Sequence, residues 1–122
     1  MTTRIPTLDD RARKLLPLTP AVLQILLSLS SEDRHGLGIA ADIKEFTQGR
    51  TVLGPGTLYG TIRRMLDAAL LEDLASPGGD DDDPRRRYYR ITSLGRRTLV
   101  LESERLSTRL GTAQRRRAFK RS

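Results

Sequence analysis

The apolar positions of this chain first repeat at a helical spacing. Thr19-Pro20 predicts a helix start, with a hydroxyl N-cap followed by proline at the first helical position. The following segment, AVLQILLSLS, is apolar on nearly every side, which predicts a helix buried either deep in the domain or partly against a second subunit. A shorter helix is predicted over residues 37–47. Its inner face is predicted to carry Ile39, Ala40, Ile43 and Phe46.

The pattern continues as a helix and then changes to an extended period. A third helix is predicted over residues 57–71, with a buried stripe of Leu58, Ile62, Met65, Leu66 and Ala69. Residues 71–76 and 87–92 are predicted strands, and they flank PGGDDDDP, whose composition is typical of a turn. Thr92-Ser93 then caps a last helix through residue 117. Its packing seam is Leu99, Leu106, Leu110 and Ala113.

This order of elements predicts a mainly α (α+β) fold. Three helices followed by a β-hairpin over residues 19–92 indicate a winged helix-turn-helix domain. The long helix over residues 93–117 is left for dimerisation, and residues 118–122 form a basic tail. For residues 1–18 two alternatives carry equal weight: a loosely attached arm, or a short helix through Lys14, capped by Thr7 and Asp10.

Composition adds an electrostatic asymmetry to this picture. The chain has 122 residues, enough for one domain with a modest core, so support from a partner subunit is plausible. Its formal net charge is +7. Residues 85–122 hold 13 Lys/Arg against two acids, whereas residues 1–84 hold nine against 13. The positive field therefore belongs to the last third of the chain and points to an anionic partner.

Several kinds of chemistry find no support in the residues. Cysteine is absent, and His35 stands alone in a polar loop, where we expect a solvated surface histidine. The run Asp80–Asp83 lies in a Gly/Pro loop and would not converge on a metal ion. The segment LGPGTLYG lacks the GK[ST] ending of a phosphate-binding loop. We therefore expect no enzyme, cofactor or metal site. No apolar run approaches membrane-spanning length, so a soluble cytoplasmic protein is expected.

DNA binding is better supported, because the second helix of a helix-turn-helix enters the major groove. A 100° step per residue places Thr57, Gly60 and Arg64 opposite the buried stripe of helix 57–71, with Thr61 near that face. Tyr59 and Arg63 lie on a flank, within reach of phosphates. Glycine inside a helix costs about 1 kcal/mol relative to alanine, and its missing side chain would let DNA approach closely.

The hairpin supplies a second basic element. Arg85, Arg86 and Arg87 begin the returning strand, where a wing can lay guanidinium groups on the DNA backbone or in the minor groove. Strand alternation sends Tyr88 and Tyr89 to opposite faces, so one is core and the other exposed. Our hypothesis for Asp80–Asp83 is that they pair with these arginines when DNA is absent, which lowers nonspecific affinity.

The segments LGPGTLYGTIRRMLDAALLE, RRRYYRITSLGRR and LTPAVLQILL together resemble the PadR family of bacterial transcriptional regulators, over about residues 18–110. The resemblance implies a winged-helix homodimer that represses transcription. It also implies DNA contacts from Thr57, Tyr59 and Arg63 and from the RRRYY strand. The combined DNA-contact prediction is Thr57, Tyr59, Gly60, Thr61, Arg63, Arg64, Arg85, Arg86, Arg87 and Tyr89. The predicted dimer interface is Leu23, Leu26, Leu27, Leu99, Leu106 and Leu110.

The chain departs from this family at informative positions. Gly60 stands where many relatives have proline, so the local fit to DNA differs. Leu37-Gly38 stands where an aromatic residue is common, which bears on packing. Some short members trap planar drugs between interfacial tryptophans, and this chain has no tryptophan. Many members of the family release DNA when a small molecule binds. The resemblance therefore leaves open whether this chain binds a small-molecule effector, and the sequence does not identify one.

We therefore predict a non-enzymatic, sequence-specific repressor that binds double-stranded operator DNA as a homodimer. Two alternatives come from other classes. One is a winged-helix module that binds a partner protein through its last helix, which the acidic first two-thirds of the chain makes conceivable. The other is a nonspecific nucleic-acid binder, weakened for single strands by the scarcity of aromatic side chains for stacking.

Overall fold

The structure is a computed structural model that describes residues 4–74 and 87–121, with side chains described through residue 117. The run Asp80–Asp83 of the predicted turn, and Arg85 and Arg86 at the start of the predicted returning strand, lie outside the described residues. The described elements are, in chain order, α1 (Leu8–Arg13), α2 (Pro20–Ser31), β1 (Arg34–His35), α3 (Gly36–Phe46), α4 (Pro55–Asp67), β2 (Leu71–Leu74), β3 (Tyr88–Ile91) and α5 (Ser93–Arg121). The predicted mainly α, winged helix-turn-helix architecture is confirmed.

Side-chain caps fix the starts of the first two helices. Thr7 forms a capping box with Asp10, each side chain accepting the other residue's backbone N–H at 3.0 Å. Residues 8–13 are therefore helical, and α1 packs on α5 through a two-bond ion pair between Arg97 and Asp9. Thr19 caps α2 by accepting the Val22 N–H at 3.3 Å, as the sequence predicts.

Helix α4 is displaced toward the N-terminus relative to the predicted range 57–71. It begins at Pro55 because Gly54 serves as the N-cap and proline suits the first helical position. It ends at Asp67 because Ala69 has a φ of 60°, a left-handed conformation that a helix cannot continue through. The prediction that Ala69 belongs to the buried stripe is wrong, since this residue is exposed.

A three-stranded antiparallel sheet closes one end of the helical core, in the order β1-β3-β2. The hairpin strands β2 and β3 were predicted, whereas β1 is only two polar residues and gives no alternation to detect. The expectation that His35 is a solvated surface residue is wrong. Its Nδ1 accepts the Gly38 N–H at 2.9 Å as the cap of α3, and its ring meets Tyr88 edge-on at a centroid distance of 5.6 Å.

The core lies between α2, α3 and α4 and is closed by the sheet and the start of α5. Its fully buried side chains include Ile25, Leu26, Leu29, Ile39, Ile43, Leu58, Ile62 and Met65. Phe46, predicted to face inward, is 44% exposed because it is the last residue of α3 and its ring lies beyond the packed part of that face. The remaining inner-face predictions for α3 hold for Ile39 and Ile43, with Ala40 partly buried.

Helix α5 begins in the core and then leaves it. Leu94, Thr98, Leu101 and Glu102 are buried, whereas most side chains after Arg105 are exposed. The helix continues through residues 118–121, which were predicted as a tail, and its 29 residues span about 43 Å. The buried Glu102 carboxylate accepts the Leu18 N–H at 2.6 Å and pairs with Arg105, which holds the pKa of Glu102 below its usual value. This contact ties the α1–α2 linker to α5.

We predict that Gly95→Ala destabilises the fold by roughly 1–3 kcal/mol or more, in the range of an overpacked core. A Cβ on Gly95 would collide with the Leu70 carbonyl oxygen and lie 2.7 Å from Ile91 Cγ1, so α5 or β3 would have to move. Urea denaturation measures the change in the free energy of unfolding. Gly56→Ala is the control, because no atom lies within 4 Å of the added methyl group. Equal stability of the two variants would contradict the prediction.

Candidate nucleic-acid interface

The turn between α3 and α4 sets the orientation of the second helix of the helix-turn-helix. Gln48 and Gly49 have φ values of 55° and 76°, which reverse the chain after α3. The Gly49 N–H donates to the Lys44 carbonyl at 2.7 Å. Thr51 is held from two sides, because its N–H donates to Thr47 Oγ1 and its hydroxyl accepts from Gln24 Nε2, both at 3.1 Å. The start of α4 is therefore fixed to α2 and α3.

Helix α4 has a core face and a bare outer face. Thr57 and Arg64 are exposed and Gly60 is partly exposed, as predicted for the side opposite the buried stripe, and Arg63 is exposed on the predicted flank. Space is open around the backbone at three glycines: a Cβ on Gly54 or Gly56 would meet no atom within 4 Å, and one on Gly60 only the Arg64 guanidinium at 3.8 Å. The fold therefore requires no glycine at these positions. Gly54 and Gly56 were not among the predicted contact residues, although the motif GPG lies at the start of this helix in the sequence.

Two predicted contact residues are not on the surface. Thr61 is 1% exposed, and its hydroxyl donates to the Thr57 carbonyl at 2.7 Å and accepts from Arg64 Nη2 at 3.2 Å. Its predicted exposure is wrong because Thr61 follows Leu58 by three residues and precedes Met65 by four, which places it on the same buried side of α4 as these two residues.

Tyr89 is the other predicted contact residue that is not on the surface. Strand alternation does place one tyrosine in the core, but that tyrosine is Tyr89, at 4% exposure, and Tyr88 is half-buried against His35. Burial raises the pKa of the Tyr89 hydroxyl, and the nearby Asp73 carboxylate raises it further. The Tyr89 side chain therefore faces the inner side of the wing and is not presented to DNA.

Tyr59 joins α4 to the start of α3. A Cβ at Gly36 would lie 2.6 Å from both Tyr59 Cε1 and its hydroxyl oxygen, so the ring packs directly on the glycine backbone. The hydroxyl is buried and does not point into solvent. The predicted phosphate contact of Tyr59 is therefore not supported by its position, and its packing explains why glycine stands at position 36.

The wing and α4 face each other across a cleft of about 350 Å³. Arg63 lines it from the helix and Arg87 from the start of the returning strand. Arg87 Nη1 is paired with Asp73 Oδ2 at 2.7 Å, and neither side chain is deeply buried. Two of the predicted basic side chains thus meet at one cleft, whereas Arg85 and Arg86 lie outside the described residues.

The predicted dimer residues divide between core and surface. Leu26 is completely buried in its own subunit, so its assignment to an interface is wrong, and Leu99 is 9% exposed. Leu27, Leu106 and Leu110 are 41%, 39% and 60% exposed, and Leu23 is partly buried. A groove of about 580 Å³ between α2 and α5 is lined by Leu27, Leu99 and Val100. Val100 was missed because it lies off the predicted seam.

The described parts of the chain were also compared with what a metal site or a membrane-spanning helix requires. Residues 4–74 and 87–121 contain no group of three or more His, Asp or Glu side chains placed to hold a metal ion. Within the same residues, no helix combines the length and apolar character needed to cross a membrane.

Solved structures share this fold. A PadR family transcription regulator from Clostridium difficile is 23% identical, with a TM-score of 0.67 over 80% of this chain and 97% of that one. A transcriptional regulator from Clostridium thermocellum is 23% identical, with a TM-score of 0.65 over 87% and 93%. RosR of H. salinarum is 24% identical, with a TM-score of 0.63 over 78% and 79%. No curated protein matches the chain.

The match to a family model is more specific than these similarities of fold. The model of the transcriptional regulator PadR-like family covers residues 25–100, which include α3, α4, the described strands and the start of α5. The match spans more than half of the chain and contains the outer face of α4 and the base of the wing. The chain belongs to the PadR-like family of DNA-binding transcriptional regulators.

Proposed function

We propose that this protein is a cytoplasmic, sequence-specific repressor that binds a pseudo-palindromic operator as a homodimer and has no enzymatic activity. The observation that carries the proposal is the bare outer face of α4. Two glycines on that face, Gly56 and Gly60, leave the backbone uncovered although the fold would accept side chains, and Arg63 and Arg64 are exposed beside them. Glycine lowers the stability of a helix and lets a ligand approach the backbone closely. Exposed glycines that the fold does not require therefore favour a partner that contacts this side of α4.

The chemistry of this face suits double-stranded DNA. Gly60 and Gly56 would let base edges or the sugar-phosphate backbone approach the helix axis, while the Thr57 hydroxyl can donate to or accept from a base edge. Arg63 and Arg64 would bind phosphates and set the position of the helix, and phosphate contacts carry affinity more than sequence information. Of the residues predicted from sequence, Thr57, Gly60, Arg63 and Arg64 form the proposed contact set on α4.

The wing adds a second phosphate contact in this proposal. Arg87 faces the same cleft as Arg63, and its Asp73 partner is exposed enough for the pair to exchange with a phosphate. Arg85 and Arg86 directly precede Arg87 in sequence and remain predicted wing contacts.

Dimerisation is supported by apolar surface that a single subunit leaves uncovered. Leu106 and Leu110 are exposed on the projecting half of α5, and Leu27 and Val100 continue that surface to α2. A helix with a leucine seam is stabilised by packing on another helix. Two α4 helices related by a two-fold axis would then address half-sites about one DNA turn apart, ~34–36 Å.

A mobility shift on DNA upstream of the protein's own gene tests the function directly. We expect a complex that survives excess competitor DNA of unrelated sequence. Binding that any competitor removes equally would favour a nonspecific binder, and no binding at low salt would favour a protein-interaction module.

We predict that Gly60→Ala raises the stability of the fold and weakens operator binding. Alanine stabilises a helix interior by about 0.5–1 kcal/mol relative to glycine, and the methyl group meets only the end of a flexible arginine. The same methyl group would stand between the helix and the DNA. Thermal denaturation and fluorescence anisotropy on the operator measure the two effects. Unchanged DNA affinity would show that Gly60 does not approach DNA.

We predict that Arg63→Ala and Arg64→Ala each lower the salt dependence of operator binding. Each phosphate that a protein neutralises contributes about −0.9 to the log–log slope, so each variant should lose about that amount. Arg13→Ala on α1 is the control for an equal loss of charge, because Arg13 is exposed and α1 packs mainly on α5. If Arg13→Ala changed the slope of log affinity against log salt concentration by the same amount, phosphate contacts by Arg63 and Arg64 would be contradicted.

We predict that Leu110→Gln weakens self-association by roughly tenfold or more. Burying one leucine contributes about 1.5–3 kcal/mol, and a symmetric dimer would lose the contribution of both copies. Sedimentation equilibrium measures the dissociation constant. Arg115→Gln is the control, since Arg115 is exposed on the opposite side of α5. Equal association of both variants would exclude the leucine seam as the interface.

A further inference from the structure

A small apolar pocket lies on the side of α4 that faces the α1–α2 linker. Its volume is about 200 Å³. The linker and α2 supply Leu15, Leu18 and Val22, and α4 and the segment after it supply Met65 and Leu70. None of the described lining residues is aromatic, so the pocket offers aliphatic packing and no surface on which a planar ring would stack. Arg64 also lines it.

The linker wall of this pocket is held in place from outside. The Leu18 N–H donates to the buried Glu102 carboxylate of α5 at 2.6 Å, and the Thr19 hydroxyl caps the helix that follows. Met65 on the opposite wall is 1% exposed and fixed in the core. The pocket is therefore formed before any ligand enters, as is usual for small-molecule sites.

Among the described residues, the Arg64 guanidinium makes one hydrogen bond. Its Nη2 donates to Thr61 Oγ1 at 3.2 Å. Among residues 4–74 and 87–117, no carboxylate oxygen forms an ion pair with it within 4.0 Å. A guanidinium has five N–H donors and pairs best with a planar carboxylate or a phosphate. An aliphatic cavity whose lining includes one such side chain is complementary to an alkyl chain that ends in a carboxylate.

We infer that this pocket binds a small aliphatic carboxylate, with the alkyl chain between the linker and α4 and the carboxylate on Arg64. The ligand must be short, because the pocket is smaller than the ~300–1,000 Å³ sites of drug-sized ligands. The effect of this ligand on DNA binding rests on the proposed function as a repressor. A guanidinium that pairs with a carboxylate in the pocket is withdrawn from a DNA phosphate, so the ligand releases the operator.

Isothermal titration of the DNA-free protein with octanoate tests the binding step. We expect saturable binding of one octanoate per chain. Acetate, which has the charge without the chain, and octanol, which has the chain without the charge, should each bind at least tenfold more weakly. Equal binding of octanoate and octanol, or no saturation with octanoate, would overturn the inference.

Substitutions locate the site. Ala68→Leu should fill the pocket and weaken octanoate binding at least tenfold, because Ala68 lines it at the end of α4. Ala41→Leu is the matched control on the exposed side of α3 and should bind as the unmodified chain does. Val22→Phe should fill the same pocket from α2, and it replaces Ala68→Leu in this test if Ala68→Leu does not fold. Arg64→Gln should bind octanoate and octanol equally. Octanoate binding unaffected by the filling variants would place the ligand elsewhere and overturn the inference.

The DNA measurement separates the two proposals. Octanoate should release operator DNA from the unmodified protein and not from Ala68→Leu. A chain that binds octanoate as described but never binds DNA would refute the repressor and leave the pocket standing. A chain that binds the operator equally with and without saturating octanoate would refute the coupling. If Ala68→Leu changes the sedimentation of the ligand-free protein, the pocket is a subunit contact and the inference is wrong.

Discussion

The geometry of the molecule depends on the junction where α4, the wing and α5 meet. The Thr92 hydroxyl donates to the Ala69 carbonyl at 2.6 Å and accepts the Gly95 N–H at 3.0 Å, and the Thr92 N–H donates to the Leu70 carbonyl at 3.1 Å. One residue thus ends the wing, caps α5 and binds the chain that leaves α4. Because Gly95 lets α5 lie directly on Leu70, the direction of the long helix is fixed relative to the proposed DNA-binding helix.

A second contact, at Glu102, fixes α5 to the α1–α2 linker further along the helix. A buried carboxylate is costly unless its hydrogen bonds are satisfied. Glu102 meets that condition with one backbone N–H of the linker and with Arg105. In the proposed dimer, the helix that would join the subunits is therefore also the helix that holds the wall of the pocket beside Arg64. Subunit packing and ligand access would act on one rigid element.

The sequence was most informative where a local interaction decides the structure. The caps at Thr19 and Thr92 and the helical spacing of Ile39 and Ile43 require only neighbouring residues, and each prediction held. The errors arose where distant packing decides. The strand at Arg34–His35 exists because β3 pairs with it, and α4 ends earlier than predicted because Ala69 adopts a left-handed conformation. Likewise, strand alternation alone could not tell which of Tyr88 and Tyr89 faces the core.

The open backbone of α4 bears on how such a regulator could acquire a new operator. Side chains added at Gly54 or Gly56 would meet no part of the protein, so the fold does not oppose them. Within the proposed contact set, base-edge readout would rest on few side chains, which would leave much of the discrimination to the shape and deformability of the DNA. If this face binds DNA as proposed, single substitutions could add or remove base contacts while the core stays intact. Such a surface separates the evolution of target choice from the evolution of stability.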